Sequence, residues 1–267
     1  MTRPPLAAFG LEGEPIPLEG GQGTAVRVGD VVVKRVPSHG ERVQSTHDPA
    51  EDEWRADLYE RIVPVGFRVP KPVRALDGRV VVDGWVAFEY LVGEHSFERW
   101  DDTLAVCDRF HAALRDERRP SFLDRADDPW TIAQRAVWGV APLEPYLAMK
   151  HVAALVDALR PVEGPAQLVH SDFTANVLFH EREPPAVLDL SPWWAPTEYA
   201  RAVVVGDALL WYGADESVAE RVEPQFLLRA VLFRKIVDRL FRADESERGG
   251  EHDIYAPVVD LALRQAG

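Results

Sequence analysis

The hydrophobic pattern along the chain changes its period near residue 93. Before that point short β-branched runs alternate with polar turns. "GTAVRV" (23–28) and "VVVKRV" (31–36) flank Gly29-Asp30. "KPVRAL" (71–76), "RVVVD" (79–83) and "WVAFEYLVG" (85–93) are set off by Asp77-Gly78 and Asp83-Gly84. Period-two runs bounded by such dipeptides predict strands joined by tight turns. One helix interrupts them: "DPAEDEWRADLYERIV" (48–63) places Pro49 at its start and Trp54, Leu58 and Ile62 on one stripe.

Beyond Gly93 the period is helical. "DDTLAVCDRFHAALRD" (101–116), "DDPWTIAQRAVWG" (127–139), "LEPYLAMKHVAALVDALR" (143–160), "TEYARAVVVGDALLWYG" (197–213) and "PQFLLRAVLFRKIVDRLF" (224–241) each predict a helix. Asp128 reads as an N-cap with Pro129 behind it, and Asp207 as a cap or turn residue. "ADESERGGEHD" (243–253) reads as a polar surface loop. A small strand-rich part with one helix therefore precedes a larger helical part, an α+β architecture with a hinge near Glu89 to Glu94 and a cleft between two lobes, 1–93 and 94–267.

Composition narrows the function. Hydrophobic residues make up 46% of the 267 positions and charged residues 28%, a globular balance. The net charge of −14 argues against a nucleic-acid partner. The only cysteine, Cys107, excludes an internal disulfide and falls within an apolar stripe, as a buried thiol does. The first residues lack a signal-peptide pattern and no stretch has the apolar length of a membrane span, which predicts a cytoplasmic protein without a membrane partner.

The chemistry concentrates in "HSDFTANVLF" (170–179) and "LDLSPWW" (188–194). Asp172, Asn176 and Asp189 are oxygen ligands of the type magnesium takes when it shares phosphates with a protein. His170 and His180 lack zinc spacing, and no GxSxG supports a Ser-His-Asp hydrolase. "GGQG" (20–23) lacks the lysine and hydroxyl residue of a P-loop.

"HSDFTANVLF" followed by "AVLDL" resembles the aminoglycoside phosphotransferase family, a branch of the protein-kinase-like fold. The resemblance implies a bilobal α+β fold and an ATP- and Mg-dependent phosphotransferase acting on a hydroxyl of a small molecule. Asp172 would orient the acceptor hydroxyl and take its proton; Asn176 and Asp189 would hold Mg. "LEGGQGTAVRV" (18–28) lies where the family has its glycine-rich loop, implying nucleotide contacts at Gly21 and Gly23. Lys34 would meet the ATP phosphates, with Glu53, or less well Glu51, as its helix partner. The backbone from Glu89 to Leu91 would read adenine, and His170 would brace the loop. Trp193 and Trp194 divide between packing and an aromatic wall for the acceptor. Ser171 stands where the family usually has Gly. Asp172 and Asn176 are four apart where the family has five, which resembles an uncharacterised actinobacterial group with a shortened catalytic loop. The short loop also admits a catalytically weak nucleotide-binding pseudokinase, and a third reading is a metal hydrolase built on His170, Asp172 and Asp189.

Overall fold

The structure is a computed structural model that describes residues 3–18, 25–36, 49–241 and 253–267. Four strands form one antiparallel sheet in the order β1 (Ile16–Pro17), β2 (Ala25–Val28), β3 (Val31–Arg35) and β4 (Trp85–Glu89). β2 and β3 turn at Gly29-Asp30, where Gly29 takes φ 59°, and Asp83 and Gly84 both have positive φ in the turn that leads into β4. Alternation then sorts the side chains. Val33 and Ala87 are paired across β3 and β4 and buried with Phe9, Val82 and Trp85 beneath the sheet. Lys34, one residue on, shares the opposite face with its neighbour Val86, which packs on Ala56 of α1 (Pro49–Arg61).

The helical part comprises α2 (Trp100–Ala113), α3 (Pro129–Val137), α4 (Val152–Ala158), α5 (Thr197–Trp211), α6 (Pro224–Phe241) and α7 (Tyr255–Ala266). Between α4 and α5 lie four short strands. β5 (Gln167–His170) pairs with β8 (Pro192–Ala195), and β6 (Val177–Leu178) pairs with β7 (Ala186–Val187). One core joins these parts: Phe110 of α2, Phe173, Val203 of α5 and Phe233 of α6 are all fully buried in it. Leu58 and Tyr59 of α1 belong to that same core rather than to the sheet's own, so α1 is clamped between the sheet and the helical body. No helix of the described residues is long and apolar enough to cross a membrane.

Asp128 caps α3 by accepting from the Thr131 N–H at 3.0 Å, as expected. Cys107 is fully buried and its thiol is pushed up by desolvation, the state of an inert packing residue. Other expectations fail for local reasons. "KPVRAL" and "RVVVD" make single bridges, Pro72 to Phe88 and Val82 to Trp85; in the first, the prolines at 70 and 72 remove ladder donors. The predicted helix over 143–160 is broken: a short 3₁₀ turn, Glu144–Tyr146, precedes α4, and His151 at φ 73° separates them. α7 is an additional helix with its own apolar stripe (Val258, Val259, Leu261, Ala262). Most of the polar stretch 243–253 lies outside the described residues.

Gly93 marks the passage from β4 into the helical part. Its φ is 152°, and an added Cβ would lie 2.8 Å from the Leu178 Cβ and 3.0 Å from the Phe179 carbonyl oxygen. Backbone bonds between Glu94 and Phe179 (2.8 and 2.9 Å) hold that close approach. Gly93→Ala should therefore lower stability by about 1–3 kcal/mol, the cost of a strained backbone plus a clash. Urea denaturation checks this, and an unchanged midpoint would show that the crossing relaxes freely.

Candidate active site

β5 delivers the chain into the site, and His170 fixes the turn that follows. The ring is fully buried. Nε2 donates to the Leu188 carbonyl at 3.1 Å, while Nδ1 accepts from the Asp172 and Ser191 N–H groups at 3.2 and 3.3 Å. Burial pushes its pKa down to about 4, against the opposing pull of Asp172 and Asp189. A neutral imidazole with both nitrogens engaged is a brace between two loops and has no lone pair left for zinc.

The short loop closes as a 3₁₀ turn, Thr174–Asn176. The Asn176 amide nitrogen donates to the Asp172 carbonyl at 2.6 Å, and the Leu188 N–H donates to the Asn176 carbonyl at 2.8 Å. Those bonds fix Asn176 through its nitrogen and keep its side-chain oxygen as the acceptor. The Asp172 carboxylate accepts at Oδ1 from Arg234 of α6 at 2.6 Å. The same guanidinium holds Asp207 of α5 through two bonds of 2.6 and 2.7 Å, and the Thr174 hydroxyl donates to Asp207 at 2.6 Å. Asp207 is therefore no cap or turn residue: it is 2% exposed in the middle of α5. Burial pushes its carboxyl up, with Asp172 adding to it, yet the hydrogen-bond partners Arg234 and Thr174 are donors, so the carboxylate is the form the cluster fits. Arg234 is held in its charged form by Asp207 and Asp172 against the cost of burial.

Asp189 follows β7 in a left-handed conformation, φ 41°. Its carboxylate is 56% exposed and accepts from Lys34 Nζ at 2.6 Å. Crowding by the surrounding chain pushes the carboxyl up, but Lys34, with Arg55 and His170 nearby, holds it below its usual range. α1 secures the next residue from behind: Arg55 donates to the Leu190 carbonyl at 3.2 Å, and the Leu190 N–H donates to the Tyr59 hydroxyl at 3.1 Å.

Two expected contacts are corrected. Glu53 does not hold Lys34; it faces away, 3.4 Å from the Val80 N–H and 3.8 Å from Arg74. Glu51 is engaged by Arg55, as is Asp52, so the group α1 sends toward the site is Arg55, which no motif in the sequence singles out. Along the hinge the Glu89 N–H is already given to the Lys71 carbonyl and the Tyr90 N–H to the Asp30 carbonyl, both at 2.8 Å. That removes the Glu89 amide as an adenine contact. Gly21 and Gly23 lie outside the described residues. Trp193 is buried and Trp194 half-buried. They line a cavity of about 330 Å³ with Trp138, Arg135 and Asp124, and none of Lys34, Asp172 or Asp189 borders it.

A lysine on the third strand of a small antiparallel sheet, paired with an aspartate on a loop of a helical body, is the arrangement of a bilobal kinase-like fold. Solved structures agree. A spectinomycin phosphotransferase in complex with ADP and spectinomycin is 14% identical, with a TM-score of 0.53 over 96% of this chain and 95% of that one. The choline kinase LicA from Streptococcus pneumoniae is 11% identical, with a TM-score of 0.55 over 95% and 92%. An amicoumacin kinase in complex with AMP-PNP and Ca²⁺ is 14% identical, with a TM-score of 0.56 over 94% and 87%. At such identities the likeness establishes the fold. No curated protein sequence matches the chain. The model of the phosphotransferase enzyme family (APH) matches residues 16–192, and the chain belongs to that family. It is a phosphotransferase enzyme.

Proposed function

We propose that this enzyme moves the γ-phosphoryl group of ATP, bound with magnesium, to a hydroxyl of a small molecule. The observation that carries the proposal is the meeting of Lys34, Asp189 and Asp172 around one braced histidine, with Asn176 fixed to the Asp172 backbone. Phosphoryl transfer needs positioned charge more than covalent help from the protein, and that is what this arrangement offers.

The donor set suits magnesium: the Asp189 carboxylate and the Asn176 side-chain oxygen are hard ligands. Among the described residues no group of three or more His, Cys, Asp or Glu converges as a metal cage. Bound Mg·ATP supplies the transferable group and the cation that balances its charge. Lys34 and Asp189 neutralise each other, and each has to exchange its partner: phosphate oxygens for the lysine, the cation for the carboxylate. Asp172 keeps Oδ2 clear of Arg234, which leaves one oxygen to orient the acceptor hydroxyl and take its proton. With the Glu89 and Tyr90 amides engaged, the Glu89 carbonyl and the Leu91 backbone are the hinge groups for the adenine edge. The described geometry favours an active enzyme over a pseudokinase, because the tightened loop still ties Asn176 to Asp172. A division at Gly93 into a nucleotide-binding lobe and a catalytic lobe fits these roles, as does a cytoplasmic setting, where ATP is held.

Thermal unfolding with Mg·ATP tests the reading directly. A ligand at 100 times its Kd stabilises by about 2.7 kcal/mol, which raises the Tm of a chain this size by roughly 5 °C. A screen of hydroxyl acceptors for ADP release completes the test. No shift at millimolar Mg·ATP would remove the nucleotide from the proposal.

A further inference from the structure

We propose that Arg234 is the positioning residue for Asp172, and that the buried Arg234–Asp207 pair supplies, from outside the shortened loop, the restraint that sets its reactive carboxylate. The inference rests on the phosphotransferase reading and adds two residues, from α5 and α6, that the motif does not contain.

An arginine side chain 7% exposed and an aspartate side chain 3% exposed are costly to desolvate and persist only when tightly paired. Here the guanidinium commits Nε and one terminal nitrogen to Asp207, and that terminal nitrogen also reaches Asp172 Oδ1. The rings of Phe233 and Trp211 lie 5.0 and 5.4 Å from the guanidinium carbon and bound its position. A planar fork held this way fixes where a carboxylate sits more closely than a flexible ammonium, which keeps the charge but not the geometry. Asp172 thus has one oxygen committed and the other turned to the acceptor.

Asp207 serves the loop a second time by accepting from Thr174. The segment is therefore tied at 172 through Arg234, at 174 through Asp207, and at 176 through the Asp172 carbonyl. Three anchors in five residues leave the carboxylate little freedom, and two of them reach it from helices that lie 33 and 62 residues further along the chain.

The test compares Arg234→Met, Arg234→Lys and Asp207→Asn with the full-length parent. ADP formation from Mg·ATP is measured with water as acceptor, and with any hydroxyl acceptor that the screen yields. Rates are expressed per nucleotide-binding site, so that loss of folded protein does not enter kcat. Arg234→Met should lower kcat about 10–100-fold, the scale of a small misplacement of a reacting group, with KM for Mg·ATP within about twofold of the parent. Arg234→Lys should recover part of the loss, and Asp207→Asn should fall between the parent and Arg234→Met. Parental kcat in Arg234→Met, or Lys no better than Met, would overturn the inference. So would a KM that rises as kcat falls. If Arg234→Met does not fold, the Lys and Asn variants decide on the same criteria. Parent protein that forms no ADP overturns the phosphotransferase reading itself, whereas parental turnover with indifferent variants overturns this inference alone.

Discussion

Asp172→Asn should lower phosphoryl transfer about 10²–10⁴-fold, the usual contribution of a positioned general base, while Mg·ATP still stabilises the fold. The substitution is nearly isosteric. The Asn side-chain oxygen can still accept from Arg234, and the bonds that the backbone of residue 172 makes with the Asn176 side-chain amide and the His170 ring do not involve its own side chain. What disappears is the second carboxylate oxygen, the one free to orient a hydroxyl and receive its proton. The loss should therefore appear in kcat and leave KM for Mg·ATP unchanged. Single-turnover ADP formation, with nucleotide binding read from the thermal shift, separates the two. Turnover at the parental rate would mean that Asp172 is not the group at the acceptor. Equal loss of nucleotide binding would mean that Asp172 serves the phosphates instead.

The residues of this site divide by how far apart in sequence their partners lie. Asp172, Asn176 and Asp189 are legible because one loop and one hairpin carry them, so their spacing is itself geometric information. Lys34 is legible through its strand: alternation with the buried Val33 fixes its face. Glu53 is misassigned from sequence because the charged run "EDEWR" offers several candidates and the hydrophobic stripe does not select among them. The selection comes from Leu58 and Tyr59 entering the helical core, which turns Arg55 toward Leu190 and Glu53 toward Arg74. Asp207 and Arg234 are invisible in the sequence for a related reason. Each interrupts an apolar helical stretch, and a lone charge there carries no sign of its partner. Only the packing of α5 on α6 brings the two together, beneath a loop that neither adjoins. The helix expected over 143–160 fails locally instead, because apolar spacing continues through a residue, His151, whose backbone is left-handed.

Acidification below about pH 6.5 should unfold the protein well before its carboxylates are neutralised, because two histidines behind the catalytic loop are buried in their neutral form. His111 is 2% exposed. Its Nδ1 donates to the Cys107 carbonyl at 2.7 Å and its Nε2 accepts from the His170 N–H at 2.9 Å. Burial pushes its pKa from 6.5 down to about 3, and that of His170 down to about 4. Both folded values lie below the unfolded one, so the unfolded chain binds protons first and gains on the folded state as pH falls. Stability from the pair is complete above pH 6.5 and drains below it, down to about pH 4 for His170 and about pH 3 for His111. Each tenfold difference in proton affinity between the folded and unfolded chain is worth about 1.4 kcal/mol. Two such histidines together remove several kcal/mol, a large part of a typical folding free energy. Urea denaturation at about pH 7.5, 6, 5 and 4.5, a range that spans the unfolded histidine pKa, measures the slope. His111→Gln, which keeps a donor and an acceptor without the titration, should flatten it. A midpoint that stays constant across that range would refute the neutral pair. Activity should fall along with stability, since protonating His170 removes the Nδ1 acceptor that aligns the Asp172 and Ser191 amides. The brace that holds the short loop is thus also the point at which acid takes the site apart.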